Sequence, residues 1–126
     1  MGNDDDEDEL VSKLFATDRR GYKVFFSELQ LDEIYKHHKE LTDFWANEKD
    51  MRLAIAEASE IYQSIHQSTR GSKFHVYYRS KKNRNTELKV VVKFDENNIG
   101  ILWMAQPSTV GKRNNGEEKI WAAENH

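Results

Sequence analysis

The sequence contains no cysteine, one proline and six glycines among its 126 residues. Without cysteine the chain can form neither disulfides nor thiolate metal sites, so the fold depends on packing alone. No apolar run approaches the ~20 residues of a membrane span, and the N-terminus is acidic where a signal peptide is basic. We therefore predict no membrane contact and a cytoplasmic location.

Glycine-rich phosphate loops and HExxH motifs are also missing from the sequence, as are clustered carboxylates outside the acidic run at residues 4–9, so we expect no metal and no cofactor. Three Trp, six Phe and five Tyr supply large side chains for a core. This content predicts one domain over residues 10–126, preceded by an acidic tail over residues 1–9.

The net charge of −3 hides an uneven distribution. The tail carries six acids and no base, so residues 10–126 carry 19 bases against 16 acids. Two interpretations of the tail remain open: a disordered, solubilising segment, or a phosphate mimic that folds over a basic surface.

The sequence predicts two helices that precede the strands of the sheet. Ser27 and Gln30 form a capping-box pattern, and Asn47 can cap a second helix, which we expect to end near Gly71. Tyr22–Phe26 is either an edge strand or a lead-in to the first helix. The apolar positions of the two helices are Leu31, Ile34, Tyr35, His38, Leu41 and Trp45, then Met51, Ala54, Ile55, Ala58, Ile61, Tyr62 and Ile65.

After the helices, apolar residues recur at every second position instead of every 3.6 residues in FHVYYRS, ELKVVVKF and IGILWMAQ, which predicts three strands. Pro107 is predicted to close the third strand, and KIWAA to form a short strand or a docked tail. The predicted fold class is α+β. N-terminal helices pack on one face of an antiparallel sheet, which is a meander of three to four strands.

The stretch Arg70–Lys93 contains eight bases and one acid, Glu87. If the even-numbered residues of the strands FHVYYRS and ELKVVVKF face the helices, the odd-numbered residues share an exposed cationic face. These residues are His75, Tyr77, Arg79, Lys89 and Lys93. Such a face predicts RNA binding, with Tyr77 as a stacking residue. The predicted RNA-binding residues are Tyr77, Lys81, Lys82, Arg84, Lys89, Lys93, Lys112 and Arg113.

A histidine beside a cation is a pairing that metal-independent RNA cleavage can use: a base activates the ribose 2′-hydroxyl, the oxygen attacks the adjacent phosphate, and an acid protonates the leaving oxygen. We predict His38 as the general base or acid, His75 as the second candidate, and Arg79 as a phosphate-stabilising residue. The simpler interpretations are a core histidine, an exposed strand histidine and an ordinary solvated sheet face.

The order ELQLDEIYKHHKEL, RLAIAEASEIYQSI, FHVYYRS and LKVVVKFDENNIGILWMAQ resembles the barnase, EndoU, colicin and RelE-like nuclease superfamily, especially its phage- and toxin-associated members. The resemblance covers roughly residues 25–122, and Ile34, His38 and Glu40 match its I-x-x-x-H-x-E helical segment. It implies a metal-independent, toxin-type endoribonuclease. The implied substrate is RNA such as tRNA, the implied inhibitor is a cognate antitoxin or immunity protein, and the protein would reach the cytoplasm in some cases from another cell or a phage.

The alternative function is non-enzymatic: a catalytically inactive RNA- or protein-binding module, such as an immunity- or antitoxin-like protein. Its acidic helical region, residues 28–60, holds nine acids against four bases. In that case this region would contact a basic partner.

Overall fold

A computed structural model describes residues 12–37, 47–65, 71–80, 86–109 and 116–123. Within these ranges it contains seven strands and two helices. In chain order they are β1 (Lys13–Thr17), β2 (Lys23–Phe26), α1 (Glu28–His37), α2 (Glu48–Ala56), β3 (Glu60–Ser64), β4 (Lys73–Ser80), β5 (Thr86–Phe94), β6 (Gly100–Thr109) and β7 (Glu117–Ala122).

The strands form one mixed sheet in the order β1-β2-β6-β5-β4-β3-β7. Its only parallel pair within the described ranges is β2 with β6. The predicted fold class, helices on a meander of three to four strands, is therefore wrong. The strands β4, β5 and β6 do pair in antiparallel succession, but they form the centre of a sheet that β2 and β1 extend on one side and β3 and β7 on the other.

The sequence predicts the segment Tyr22–Phe26 to be an edge strand or a helix lead-in. In the structure this segment contains β2, which is internal to the sheet because β1 and β6 flank it. The β1–β2 turn closes through Gly21 N–H, which donates to the Asp18 carbonyl at 2.9 Å. Gly21 has φ +91°, a conformation that residues with a Cβ rarely adopt.

Helix α1 begins where the sequence predicts, because the Ser27 hydroxyl accepts from Gln30 N–H at 3.1 Å. The Gln30 side chain instead donates to the Trp103 carbonyl at 3.0 Å. Strand β2 pairs with β6 only at Gly100 and Ile101, so α1 lies along the part of β6 that β2 leaves uncovered. Pro107 lies within β6, not at its end. On the β2 side of this part of β6 the described residues include no paired strand, which suits a residue that lacks a backbone N–H.

Helix α2 begins at the predicted cap, where Asn47 and Asp50 exchange side-chain to backbone hydrogen bonds. It ends at Ala56, and the predicted continuation towards Gly71 is wrong because Glu60–Ser64 forms β3. Ile61 fits both the helical and the strand spacing of apolar residues. In the structure it is a fully buried strand residue that lies between Tyr77 and Trp121.

The main core lies between α2 and one face of the sheet, here called the inner face; the opposite face is the outer face. Inner-face strand residues pack with Met51, Ala54 and Ile55 of α2. Neither described helix is long and apolar enough to cross a membrane. The inner-face strand residues of the core are Phe15, Val24, Phe26, Ile61, Tyr77, Leu88, Val90, Val92, Phe94, Leu102 and Ala105.

The β4–β5 register assigns each side chain to a face. Ser80 pairs with Glu87, and His75 pairs with Val92, so odd residues of β4 lie opposite even residues of β5. Directly paired residues share a face. His75, Tyr77 and Arg79 are therefore on the inner face, whereas Lys89 and Lys93 are on the outer face.

Gly100 leaves no room for a side chain where β6 meets the core. A Cβ there would lie 2.6 Å from Val92 Cγ1 and 2.8 Å from Phe94 Cε1, and both side chains are fully buried. We predict that Gly100→Ala lowers the free energy of unfolding by about 1–3 kcal/mol, measured by urea denaturation. In a Val92→Ala background the penalty should shrink, because the shortest of these contacts is then removed; an equal penalty in both backgrounds would contradict the steric explanation.

Candidate functional site

A cluster of buried polar groups surrounds Asp18 in the β1–β2 turn. One carboxylate oxygen accepts from the backbone N–H groups of Arg20 (2.9 Å) and Tyr22 (3.1 Å). The other accepts from the Arg20 guanidinium at 2.7 Å and from the Tyr77 hydroxyl at 2.8 Å. The Asp18 side chain has no exposed area, so these charge-assisted bonds compensate its loss of hydration.

His75 belongs to this cluster and is only 4% exposed. Its Nδ1 lies 3.0 Å from Arg20 Nη2; because a guanidinium can only donate, Nδ1 accepts and the ring proton is on Nε2. Nε2 is buried without a partner in the part of the chain described. Burial first, then the charges of Arg20 and Lys73, lower the His75 pKa to about 4.

Tyr77 has no exposed area and therefore offers no stacking surface. Burial first, and then the Asp18 carboxylate, raise its pKa above that of an ordinary tyrosine. The predicted stacking position of Tyr77 is wrong; its hydroxyl bonds to Asp18 and its ring lies in the core.

Arg79 extends towards α2 and the residues after it. Its guanidinium lies 3.0 Å from a Glu57 oxygen and 3.6 Å from an Asp50 oxygen. Two carboxylates therefore compete with any phosphate for this cation.

Lys89 and Lys93 share the outer face but differ in surroundings. Lys89 pairs with Glu117 at 2.9 Å, and the two side chains are only 9% and 2% exposed. Lys93 is partly exposed and has no carboxylate partner among the described residues; its ammonium lies 5.1 Å from the centroid of the Trp103 ring.

The predicted common face for His75, Tyr77, Arg79, Lys89 and Lys93 is therefore wrong, although the functional roles given to His75 and Arg79 stay predictions. The error follows from the register, which places the β4 residues inside and the β5 lysines outside. The remaining predicted site residues lie outside the described ranges: His38, Lys81, Lys82, Arg84, Lys112 and Arg113.

A cleft of about 600 Å³ separates α1 from β6. Trp103 is 42% exposed beside it, and His37 Nε2 lies 3.4 Å from Glu33 on the α1 side. This volume is within the range of small-molecule sites. The cleft is lined by Gln30, Glu33, Ile34, His37, Trp103 and Met104.

The sequence contained a partial signal for this cleft. Glu33 and His37 are spaced i, i+4, which places them together on a helix. Trp103 could not be assigned to a face, because the β5–β6 register shifts between Val91 and Val92 and breaks the alternation of β6.

No group of three or more His, Cys, Asp or Glu residues in the described ranges could hold a metal ion. No family model, curated protein or solved structure matches this chain. The resemblance to the nuclease superfamily therefore stays a prediction, and the function is argued from the site alone.

The buried His75 predicts a specific loss of stability in acid. The unfolded chain binds a proton below the ordinary pKa of 6.5, whereas the folded chain resists protonation down to about 4. Stability is therefore complete above pH 6.5 and falls as the pH drops towards 4. Between pH 7 and 4.5, wild type should lose about 2 kcal/mol more unfolding free energy than His75→Gln, measured by urea denaturation.

His37→Gln is the matched control, because the His37 side chain is 74% exposed. It should keep the acid sensitivity of wild type. Equal acid sensitivity of wild type and His75→Gln would show that His75 is not the responsible group.

Proposed function

We propose that the protein is a non-enzymatic, single-stranded RNA-binding module of the cytoplasm, with the cleft between α1 and β6 as its nucleotide site. The observation that carries this proposal is the exposed Trp103 ring with the Lys93 ammonium 5.1 Å from its centroid, at the margin of a cleft of about 600 Å³. Aromatic rings that stack bases and cations that hold phosphates are the usual components of single-strand recognition.

The Trp103 ring is supported on its inner side. Phe74 packs at 5.5 Å between centroids with an interplanar angle of 76°, and Phe74 itself is 9% exposed. This edge contact restricts the indole while leaving 42% of the residue accessible. A restrained, exposed ring loses little conformational entropy when a base stacks on it.

Polar groups in the cleft can bond the edge of a stacked base. The Gln30 amide nitrogen is engaged by the Trp103 carbonyl, which directs the remaining amide oxygen as an acceptor. Glu33 adds a carboxylate acceptor and His37 adds a ring nitrogen. A duplex hides base faces and edges within its stack, so this arrangement favours an unpaired strand.

Two of the three predicted catalytic residues, His75 and Arg79, favour binding over cleavage. His75 is enclosed, and Arg79 is paired with Asp50 and Glu57. A general base must reach the 2′-hydroxyl proton directly or through one water, which an enclosed imidazole does not do. Cleavage through His38 and control by an antitoxin or immunity protein stay predictions.

The predicted phosphate contacts at Lys81, Lys82, Arg84, Lys112 and Arg113 are compatible with this proposal. The strand ends that bound segments 81–85 and 110–115 are neighbours, because Ser80 pairs with Glu87 and Thr86 pairs with Thr109. Those segments contain five bases and no acid. Positive charge concentrated in them would accelerate encounter with RNA.

Substitution of Trp103 tests the proposed site. We expect Trp103→Ala to weaken binding of fluorescein-labelled decauridylate about tenfold or more in fluorescence anisotropy, because stacking contributes ~1–3 kcal/mol per base. Ile120→Ala on β7 is the matched control: Ile120 is 39% exposed, similar to Trp103, but lies outside the cleft. Equal losses in both variants, or no binding by wild type, would contradict the proposal.

Lys93 and the absence of cleavage are tested together. Lys93→Ala should weaken binding and reduce the slope of log K against log salt by ~0.7, whereas Lys119→Ala, which removes an outer lysine paired with Glu60, should not.

Total tRNA incubated with wild type in EDTA should stay intact. Fragments ending in cyclic phosphate would overturn the non-enzymatic part of the proposal and restore the nuclease hypothesis.

A further inference from the structure

A continuous row of outer-face residues crosses five neighbouring strands. Leu14 pairs with Phe25, Phe25 with Ile101, Ile101 with Lys93, and Lys93 with Phe74. We call these five residues the outer row. It runs from the edge strand β1 to the central strand β4, and its β5–β4 end adjoins Trp103.

Much of the outer row is apolar and accessible. Leu14 is 51% exposed and Ile101 48%, while Phe25 is partly buried between them. Ile99, just before β6, is 46% exposed. Large apolar side chains that remain accessible side by side on a sheet mark a binding surface, whereas single ones do not.

Two lysines, Lys93 within the outer row and Lys23 next to it, supply positive charge on this part of the face. Lys23 alternates with the core residue Val24 in β2, so it lies on the outer face with Phe25. In the described part of the chain neither Lys23 nor Lys93 has a carboxylate partner. The opposite side of the same face differs, because Lys89 pairs with Glu117 and Lys119 with Glu60.

We infer that the outer row is a second subsite that continues the RNA path from Trp103 across β5, β6 and β2 towards β1. This inference rests on the proposed function. Bases and riboses would cover Ile101, Phe25 and Leu14, while Lys93 and Lys23 would hold the phosphates. A ligand that carries both flat apolar groups and anions matches a surface on which adjacent apolar side chains lie next to two lysines that have no carboxylate partner among the described residues.

The length of the outer row sets the length of the bound strand. Five strands spaced at ~4.8 Å span about 19 Å. At the ~3.4 Å spacing of a stacked strand this corresponds to roughly six nucleotides. The affinity for oligouridylates should therefore rise steeply up to about six nucleotides and slowly beyond that length.

Two exposed substitutions test the second subsite without disturbing the core: Ile101→Ser and Lys23→Ala. Each should raise the dissociation constant for decauridylate about tenfold and leave that for triuridylate unchanged, because a short strand occupies only the Trp103 cleft. Trp103→Ala should weaken both lengths. Ile120→Ser and Lys119→Ala on β7 are the matched controls and should bind both lengths as wild type does.

The outcomes separate the two proposals. If Ile101→Ser and Lys23→Ala bind decauridylate as wild type does while Trp103→Ala does not, the second subsite is refuted and the proposed function stands. If wild type binds neither length, the proposed function fails and the inference fails with it. If wild type binds neither length but self-associates in sedimentation, and Ile101→Ser abolishes the association, the outer row is a protein interface.

Discussion

The buried Asp18 carboxylate is the interaction on which the rest of the structure depends. It belongs to the β1–β2 turn, yet its oxygen accepts from Tyr77 of β4 at 2.8 Å. In the sheet order, β1 and β4 are separated by β2, β6 and β5, a flat distance of about 19 Å. The sheet must therefore curve strongly, and the Arg20 guanidinium helps to hold the curved arrangement by joining Asp18, Tyr77 and His75.

This curvature gives the sheet two different faces. The inner face encloses α2 and the aromatic side chains that would otherwise be accessible, including Tyr77 and Phe94. The outer face divides into a half where Lys89 and Glu117 neutralise each other and a half where Lys93 stands beside Trp103. The cationic character that is evident in the sequence of β4 and β5 is thereby distributed over both faces, and only part of it is available to a ligand.

The sequence allowed prediction of the local features and of the antiparallel succession of β4, β5 and β6, but not of the pairings that extend the sheet on both sides. The caps at Ser27 and Asn47 and the three central strands are where short-range chemistry puts them, because cap hydrogen bonds and turn residues act within a few positions. The face of β5 agrees with the prediction, because its even residues lie in the core and Lys89 and Lys93 lie on the opposite face, but the face of β4 does not. Four consecutive residues of β4, Phe74–Tyr77, are buried, so β4 lacks the alternation of buried and exposed positions that would fix its orientation. His75 and Tyr77 combine apolar rings with polar atoms and suit either face until Arg20 and Asp18 supply partners from a distant turn.

The parallel pairing of β2 with β6 has a consequence for how the molecule assembles. The β4–β5–β6 succession can form from near neighbours in the chain, but Val24 meets Gly100 only after most of the polypeptide has been traversed. Closing so large a loop is entropically expensive and tends to come late. Helix α1 follows β2 directly, so its approach to Trp103 depends on that late step. The cleft consequently exists only in the completed fold, and partly folded or truncated chains do not bind a ligand that requires both of its walls.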